Sequence, residues 1–517
     1  MTTPTAAAPA STTLSPLRRW TALGVLSLAV LLIAIDGTVL ALAVPSLTEA
    51  LGATANQVLW IGDIYSLAIA GLLIPMGALA DRIGRKKLLL IGSFLFGAAS
   101  LMAALSPSAE MLILARLLLG VAGATLMPST LSLIRNIFTD RRERTRAIAI
   151  WSAAASGGAA LGPLVGGALL EHFFWGSVFL INVPVVVVLI GAGLFVLPES
   201  RDPDPGPIDL LSALLVVAAI APIVYAIKHT VQAGVDPIGI ACLAAGLAIG
   251  FLFVRRQRRL TQPLLDIDLF RVPAFSGAVF AAFLAVFSLS GLLYFFSLYL
   301  QLARGFSPLQ AGLAELPTTL ASILVVALVG WVVAKIGPGR GIATGLLLVA
   351  LGMVGIALAE GVDHYFWLAL ALVPVGLGVG LAQTLTVDAV VSAVPPHKSG
   401  AASAISETAY ELGVAFGIAI LGSVLNLAYR GMLQLPAGLD AADRAAAQDS
   451  LAMASATLDQ GSAALEAAQH AFTSAMQVTA LAAAAISVIG AIVAWRTIVS
   501  ERAGQTGPVE QVGEAQA

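Results

Sequence analysis

The sequence predicts an all-α, polytopic membrane protein with fourteen transmembrane helices, and three observations carry that prediction. Hydrophobic residues make up 59% of the 517-residue chain and charged residues only 11%, where a soluble domain carries about 25% charge. The mean hydropathy is +0.95. So much apolar surface exceeds what one buried core takes up, and lipid is the solvent that matches it. The apolar residues also gather into stretches of about 20, the length that crosses a bilayer. Finally, the basic residues alternate between the gaps, as a polytopic topology requires.

Residues 1–15, "MTTPTAAAPASTTLS", form a small-residue tail without amphipathic pattern. Arg18 and Arg19 then precede an apolar run of about 25 residues, longer than the ~7–15 of a signal-peptide core. A retained first span with its amino end in the cytoplasm follows. Spans are expected near 20–43, 57–79, 87–106, 110–133, 146–169, 176–197, 208–228, 237–254, 273–298, 309–334, 341–359, 365–390, 401–428 and 471–495. The seventh and eighth carry the weakest signal. With the amino end inside, only Lys228, Arg304, Arg430 and Arg444 of the 27 basic residues fall outside, and Arg116 lies within a span. This bias places both termini in the cytoplasm. The expected location is a bacterial cytoplasmic (inner) membrane.

One connection, 429–470, is long, Ala-rich and external. Short amphipathic helices, a partly ordered loop and a plain surface insertion are all open readings. An internal repeat relates "GALADRIGRKK" after the second span to "GWVVAKIGPGR" after the tenth, aligning Gly77 with Gly330, Gly84 with Gly337 and Lys87 with Arg340. The chain is thus expected to divide into a six-helix bundle at 1–198, two inserted spans and a linker at 199–272, and a second six-helix bundle at 273–517. Duplicated halves are a transporter signature, with the substrate between them near the midplane.

Several function classes are excluded or weakened. A net charge of -2 argues against nucleic acid as a partner. Cys242 is the lone cysteine, so no intramolecular disulfide forms. No zinc-ligand cluster, nucleophile elbow or phosphate-binding P-loop is present in the sequence. An enzyme, a metal site, a cofactor and ATP-driven pumping are therefore not expected. His172, His229, His364, His397 and His470 all fall in loops or at span ends.

"GALADRIGRKK" resembles the loop motif of the major facilitator superfamily. "ARLLLGVAGA" (115–124) resembles the Arg-containing motif of that family's fourth helix, and "GGAALGPLVGG" (157–167) the antiporter motif of its fifth. "AIDGTVLALAVP" resembles a first-helix motif of the fourteen-helix drug:proton antiporters. "WIGDIYSL" (60–67) and "SGAASAISETAYELG" (399–413) resemble the branch that exports quaternary ammonium compounds. The resemblance covers essentially all the spans. It implies the major facilitator fold, two six-helix bundles plus two inserted helices, and proton-driven export of lipophilic cations by a monomer.

The motifs also have physical readings. Asp81 is positioned to accept N–H groups at the start of the third span, and Gly84 permits a tight turn. An ionic latch of Asp81 with Arg82 or Arg85, joining the halves on the cytoplasmic side when the cavity opens outward, competes with a plain positive-inside loop. Gly157, Gly158, Gly162, Pro163, Gly166 and Gly167 crowd one helix, where small residues permit close packing in lipid and Pro163 bends the backbone. Packing alone competes with a seam that limits proton leak and favours exchange.

Six acidic residues fall within spans: Asp36, Asp63, Glu315, Asp388, Glu407 and Glu411. A charge at the bilayer centre costs about 2.5–3.5 kcal/mol on insertion scales, and such residues mark function by default. Asp36 lies roughly 13 Å below Pro45, and Asp63 and Arg116 roughly 9 Å from the outer face. Asp36 and Arg116 are therefore expected partners through a charge-assisted bond. Asp36, with Arg116, is the candidate proton-coupling carboxylate; a purely structural ion pair is the competing reading. Asp63 is expected to attract the cation, against an interfacial carboxylate reached by water. Glu407 lies roughly 12 Å from the cytoplasmic face, with Glu411 one turn on and on the same face. Glu407 is a second candidate for proton coupling and Glu411 for cation binding; helix packing with Tyr410 as donor is the alternative. Glu315 extends cation recognition or is interfacial, and Asp388 is solvated. Trp60 and Tyr65 flank Asp63, and Phe287 and Tyr294 lie on the ninth span with further aromatics; their rings offer cation–π faces, while lipid packing and an interfacial belt explain such residues too.

The resulting expectation is a proton-driven multidrug antiporter for lipophilic cations. Alternatives are an exporter of a native metabolite, antibiotic or lipid with drugs as incidental cargo, and a passive channel.

Overall fold

The computed structural model describes residues 14–201, 209–234, 236–261, 263–362, 364–395 and 399–498. Residues 1–13, His397, Lys398 and Arg502 lie outside them, and with them the expected cytoplasmic placement of the chain ends. Among the described residues there is no strand, and fourteen helices are long and apolar enough to cross a membrane. The first six are Pro16–Leu51, Ala55–Ile83, Arg85–Ala104, Ala109–Ile137, Arg141–His172 and the pair Ser177–Leu180 with Asn182–Val196. Spans 7 and 8 are Leu210–Ala233 and Pro237–Gln257. Spans 9 and 10 are Pro273–Ala303 and Pro308–Val326, the latter extended by Val329–Ile336. Spans 11 to 14 are Pro338–Ala359, Tyr365–Ser392, Ser399–Met432 and Ala463–Thr497.

Local chemistry sets many of the ends. The Thr54 and Ser307 hydroxyls accept backbone N–H groups within capping boxes completed by Gln57 and Gln310. Asp140 and Asp236 cap spans 5 and 8. Span 10 is not the continuous helix predicted. It breaks at Glu315, because Pro317 has no N–H to continue the ladder and its ring crowds the preceding turn. The long connection, expected at 429–470, is shorter than predicted, since span 13 runs on to Met432 and span 14 begins at Ala463. It contains two short helices, Ala441–Asp449 and Leu451–Thr457. Tyr429 Oη donates to the Ala447 carbonyl at 2.7 Å, and Asp449 Oδ2 accepts the Ala55 N–H at 2.9 Å.

The packing repeats between the two sets of six. Spans 1 and 5, 2 and 4, 3 and 4, and 3 and 6 are in contact, and so are 9 and 13, 10 and 12, 11 and 12, and 11 and 14. The two repeated loops share a backbone device: Gly84 has φ 111° and Gly337 φ 80°, a region that favours glycine. Between the sets, span 2 packs on span 13 and span 5 on the first turns of span 10. These seams lie toward the helix ends away from the basic loops. Gly422 meets Leu59 and Phe295, Gly62 meets Tyr294, and Gly167 meets Pro308 and Leu309. Toward the basic loops the helix Val329–Ile336 buries none of its side chains. The two sets therefore meet most closely at the ends opposite the basic loops. Span 7 packs on span 8 and straddles the seam between spans 2 and 13, where Leu67, Val224, Ala415 and Ala419 are buried together.

Candidate functional site

The first cluster is built by spans 1, 4 and 6, with contacts from spans 2 and 3. Asp36 and Arg116 are 0% and 1% exposed, so neither charge is tolerated without a partner. Arg116 Nη1 donates to Asp36 Oδ2 at 3.0 Å and Nε to the Ile61 carbonyl at 3.2 Å. Asn182 Nδ2 donates to Asp36 Oδ1 at 2.8 Å and to Ser100 Oγ at 3.1 Å. The guanidinium lies 4.4 Å from the centre of the Tyr65 ring, a cation–π distance. The partner inferred from depth is thus in place, and both Asp36 oxygens are engaged. Asn182 and Ser100 are not among the residues expected from sequence. Asn182 carries a signal, a lone amide in the apolar run "INVPVVVV", but an uncharged amide in a span stands out less than a carboxylate does.

The second cluster corrects an assignment. Lys228 is not a residue of the external loop: span 7 continues past it to Ala233, and Lys228 is 2% exposed. Its Nζ donates to Asp63 Oδ1 at 3.0 Å and lies 2.8 Å from Oδ2. It also stands 3.8 Å from the centre of the Trp60 ring. Asp63 itself is 0% exposed, so it is neither interfacial nor open to water. The pair is hidden in the sequence because a Lys at the end of a predicted span is ordinarily a snorkelling one.

Span 13 completes the seam. Glu411 is buried and faces the buried Ser66 of span 2. Glu407, one turn nearer the start of span 13, is partly exposed, and Tyr410 is exposed. Tyr294 donates its hydroxyl to the Val58 carbonyl at 3.1 Å. Phe287 packs 5.9 Å from Phe283, itself 6.3 Å from Phe416. Span 2 therefore presents Trp60, Asp63 and Ser66, three residues apart, to spans 7 and 13, and Tyr65 to Arg116. Glu315 belongs to the other seam. It sits at the break in span 10, with its Oε1 buried and without a hydrogen bond. Asp388 is exposed.

In the basic loop between spans 2 and 3, Asp81 accepts from Arg85 Nε at 2.9 Å. It does not cap span 3 as expected. That role falls to the end of span 6: Glu199 Oε1 accepts the Lys86 N–H at 3.2 Å, and the Ser200 carbonyl accepts the Arg85 N–H at 2.8 Å. A Cβ on Gly84 would stand 2.6 Å from Glu199 Oε1, a side-chain tip that can shift, so it is the positive φ that favours glycine here. Arg82 is exposed. The Asp81–Arg85 pair lies wholly within the first six-helix set.

The glycine-rich stretch of span 5 serves two contacts. Gly158, Gly162 and Gly166 lie against Leu31 and Ala34, Thr38, and Val39 of span 1, with no space for a Cβ. Gly167 faces the Pro308–Leu309 backbone, and the Pro163 carbonyl meets Gly312 of span 10. Gly157 faces open space. Span 5 thus ties the Asp36 helix to the seam with span 10, its glycines meeting Leu31, Ala34, Thr38 and Val39 of span 1.

The family model for the Major Facilitator Superfamily matches residues 26–418. The chain is 47% identical to the multidrug efflux pump LfrA of Mycolicibacterium smegmatis, over 93% of this chain and 97% of that one. It is 39% identical to the methyl viologen resistance protein SmvA of Salmonella typhimurium, over 92% of this chain and 98% of that one. Among solved structures, a bacterial homologue of the human lysosomal transporter Spinster shares the fold with a TM-score of 0.66 at 17% identity, covering 94% of this chain and 98% of that one.

Proposed function

The chain belongs to the Major Facilitator Superfamily, among its drug-efflux transporters, and from that premise we propose that it exports lipophilic cations in exchange for protons by alternating access. The observation that carries the reading is a buried carboxylate held by a cation inside the membrane, Asp36 with Arg116. Such a pair balances desolvation against attraction, so protonation changes its strength. A proton entering from outside neutralises Asp36 and frees Arg116. The loss of that tie favours the inward-open arrangement. Proton loss to the cytoplasm restores the pair. A cation and a proton compete for the same negative charge, and an inward proton gradient then drives the cation out.

In this scheme Asp36, Arg116 and Glu407 couple to protons. Asp63, Glu411 and Glu315 draw the cation, with Trp60, Tyr65, Phe287, Tyr294 and Tyr410 as apolar and cation–π faces. Residues 1–198 and 273–517 are the rocking bundles. Asp81, Arg82, Gly84 and Arg85 gate the cytoplasmic side, while the span 5 glycines limit leak. The protein acts as a monomer in a bacterial inner membrane, with both ends in the cytoplasm. The name of one relative, the methyl viologen resistance protein, supports the cationic cargo: methyl viologen is a quaternary dication.

Drug-induced proton release from the purified protein tests the reading. Wild type is expected to release protons on addition of a quaternary ammonium compound, and Asp36→Asn to lose that release. Undiminished release from Asp36→Asn, Asp63→Asn and Glu407→Gln alike would refute the scheme. The latch is tested separately. Asp81→Ala is expected to insert normally and to transport far more slowly; full transport would leave the loop a topogenic signal only.

A further inference from the structure

The cation-recognition elements of span 2 are already occupied. Trp60 and Asp63 are three residues apart, so they share one helix face. Together they offer a ring face and a carboxylate, the two groups that recognise an organic cation. The ammonium of Lys228 sits 2.8 Å from Asp63 and 3.8 Å from the Trp60 ring centre. Its span is one of the inserted pair, outside both repeated sets. We propose that Lys228 is a tethered stand-in for the cargo: it holds the Trp60–Asp63 site in the outer-closed state, and an exported cation binds there by displacing it. The proposal rests on the cation-export reading and assigns span 7 a role in selectivity.

The geometry permits the exchange. Lys228 carries a flexible four-carbon stem and lies five residues from the outer end of its helix at Ala233. Its ammonium can snorkel toward the outer interface, where Asp236 already pairs with His229 at 2.9 Å. Displacement keeps Asp63 neutralised, because one positive charge replaces another. A cargo without positive charge cannot make that replacement, since it would strand Asp63 buried and unpaired. The site therefore discriminates against neutral compounds by an internal competitor.

Equilibrium dialysis of tetraphenylphosphonium against the purified full-length protein tests this. If the Lys-displaced state is about one tenth of the population, removing the competitor tightens binding about tenfold. Lys228→Gln is expected to show that gain, Lys228→Arg to bind as wild type does, and Lys228→Gln with Asp63→Asn to lose the gain. Wild-type binding with no tightening in Lys228→Gln would overturn the proposal and leave Lys228 a structural tie. Failure of wild type to bind the cation would bring down the export reading as well. A second measurement needs no variant. Acetylation of Lys228 by acetic anhydride, read by mass spectrometry, is expected to rise as the cation saturates the protein. Unchanged acetylation at saturation also overturns the proposal.

Discussion

Asp36→Leu is expected to destabilise the folded protein by about 3–5 kcal/mol, because it leaves Arg116 buried without its counter-charge. The remaining partners of Arg116, the Ile61 carbonyl and the Tyr65 and Phe179 rings, do not neutralise it. Asn182 loses an acceptor in the same step. Replacing both members, Asp36→Leu with Arg116→Leu, is expected to recover much of that stability, since two apolar side chains substitute well for a buried ion pair. Transport separates the structural role from the coupling role. Uncoupler-sensitive extrusion of tetraphenylphosphonium from cells should fall to background in the double variant despite its recovered stability, measured by thermal unfolding in detergent. A stable double variant that still extrudes at the wild-type rate would reduce the pair to scaffolding.

The second large effect is expected at the outer seam. Gly312 lies against the Pro163 carbonyl, a backbone atom that cannot swing aside. Gly312→Leu forces the first turn of span 10 away from span 5, an overpacking cost of about 1–3 kcal/mol. The cost falls on the outer-closed state alone. The balance between closed and open outer faces should therefore shift by roughly 5–150-fold toward open. A cysteine at Leu59 reports it, since Leu59 is buried on the opposite seam against Gly422. With Cys242 replaced, labelling of Leu59→Cys by an impermeant maleimide from outside should accelerate strongly in the Gly312→Leu background. If the two bundles move as rigid bodies, both seams open together. Unchanged labelling in a correctly inserted variant would mean that they do not.

Much of the fold is legible in the amino-acid sequence, and particular residues show why. Each span satisfies its own backbone hydrogen bonds, so composition and length reveal it without knowledge of its neighbours. The fourteen candidate spans agree with the sequence in number and order. The Gly84 and Gly337 loops are visible as a repeat because both need a residue free to take positive φ. Asp36 and Arg116 can be matched because depth in a bilayer is a shared coordinate. Where the relevant contact depends on which helices are neighbours, depth is not enough. Lys228 and Asp63 lie on spans 7 and 2, and nothing in the chain announces that span 7 lies across that seam. Glu199, rather than Asp81, caps span 3 for the same reason: the end of span 6 is remote in sequence and adjacent in space.

By itself the sequence determined the solvent, the helix count, the duplication and the set of intramembrane charges, because lipid makes each an independent demand on a local stretch. The tertiary structure alone decided which charges meet. It put Asn182 beside Asp36, Lys228 upon Asp63, and the glycines of span 5 against span 1 and span 10. The reason is physical: the energy of a buried charge is set by what stands within a few ångströms of it, and that neighbourhood is a property of packing.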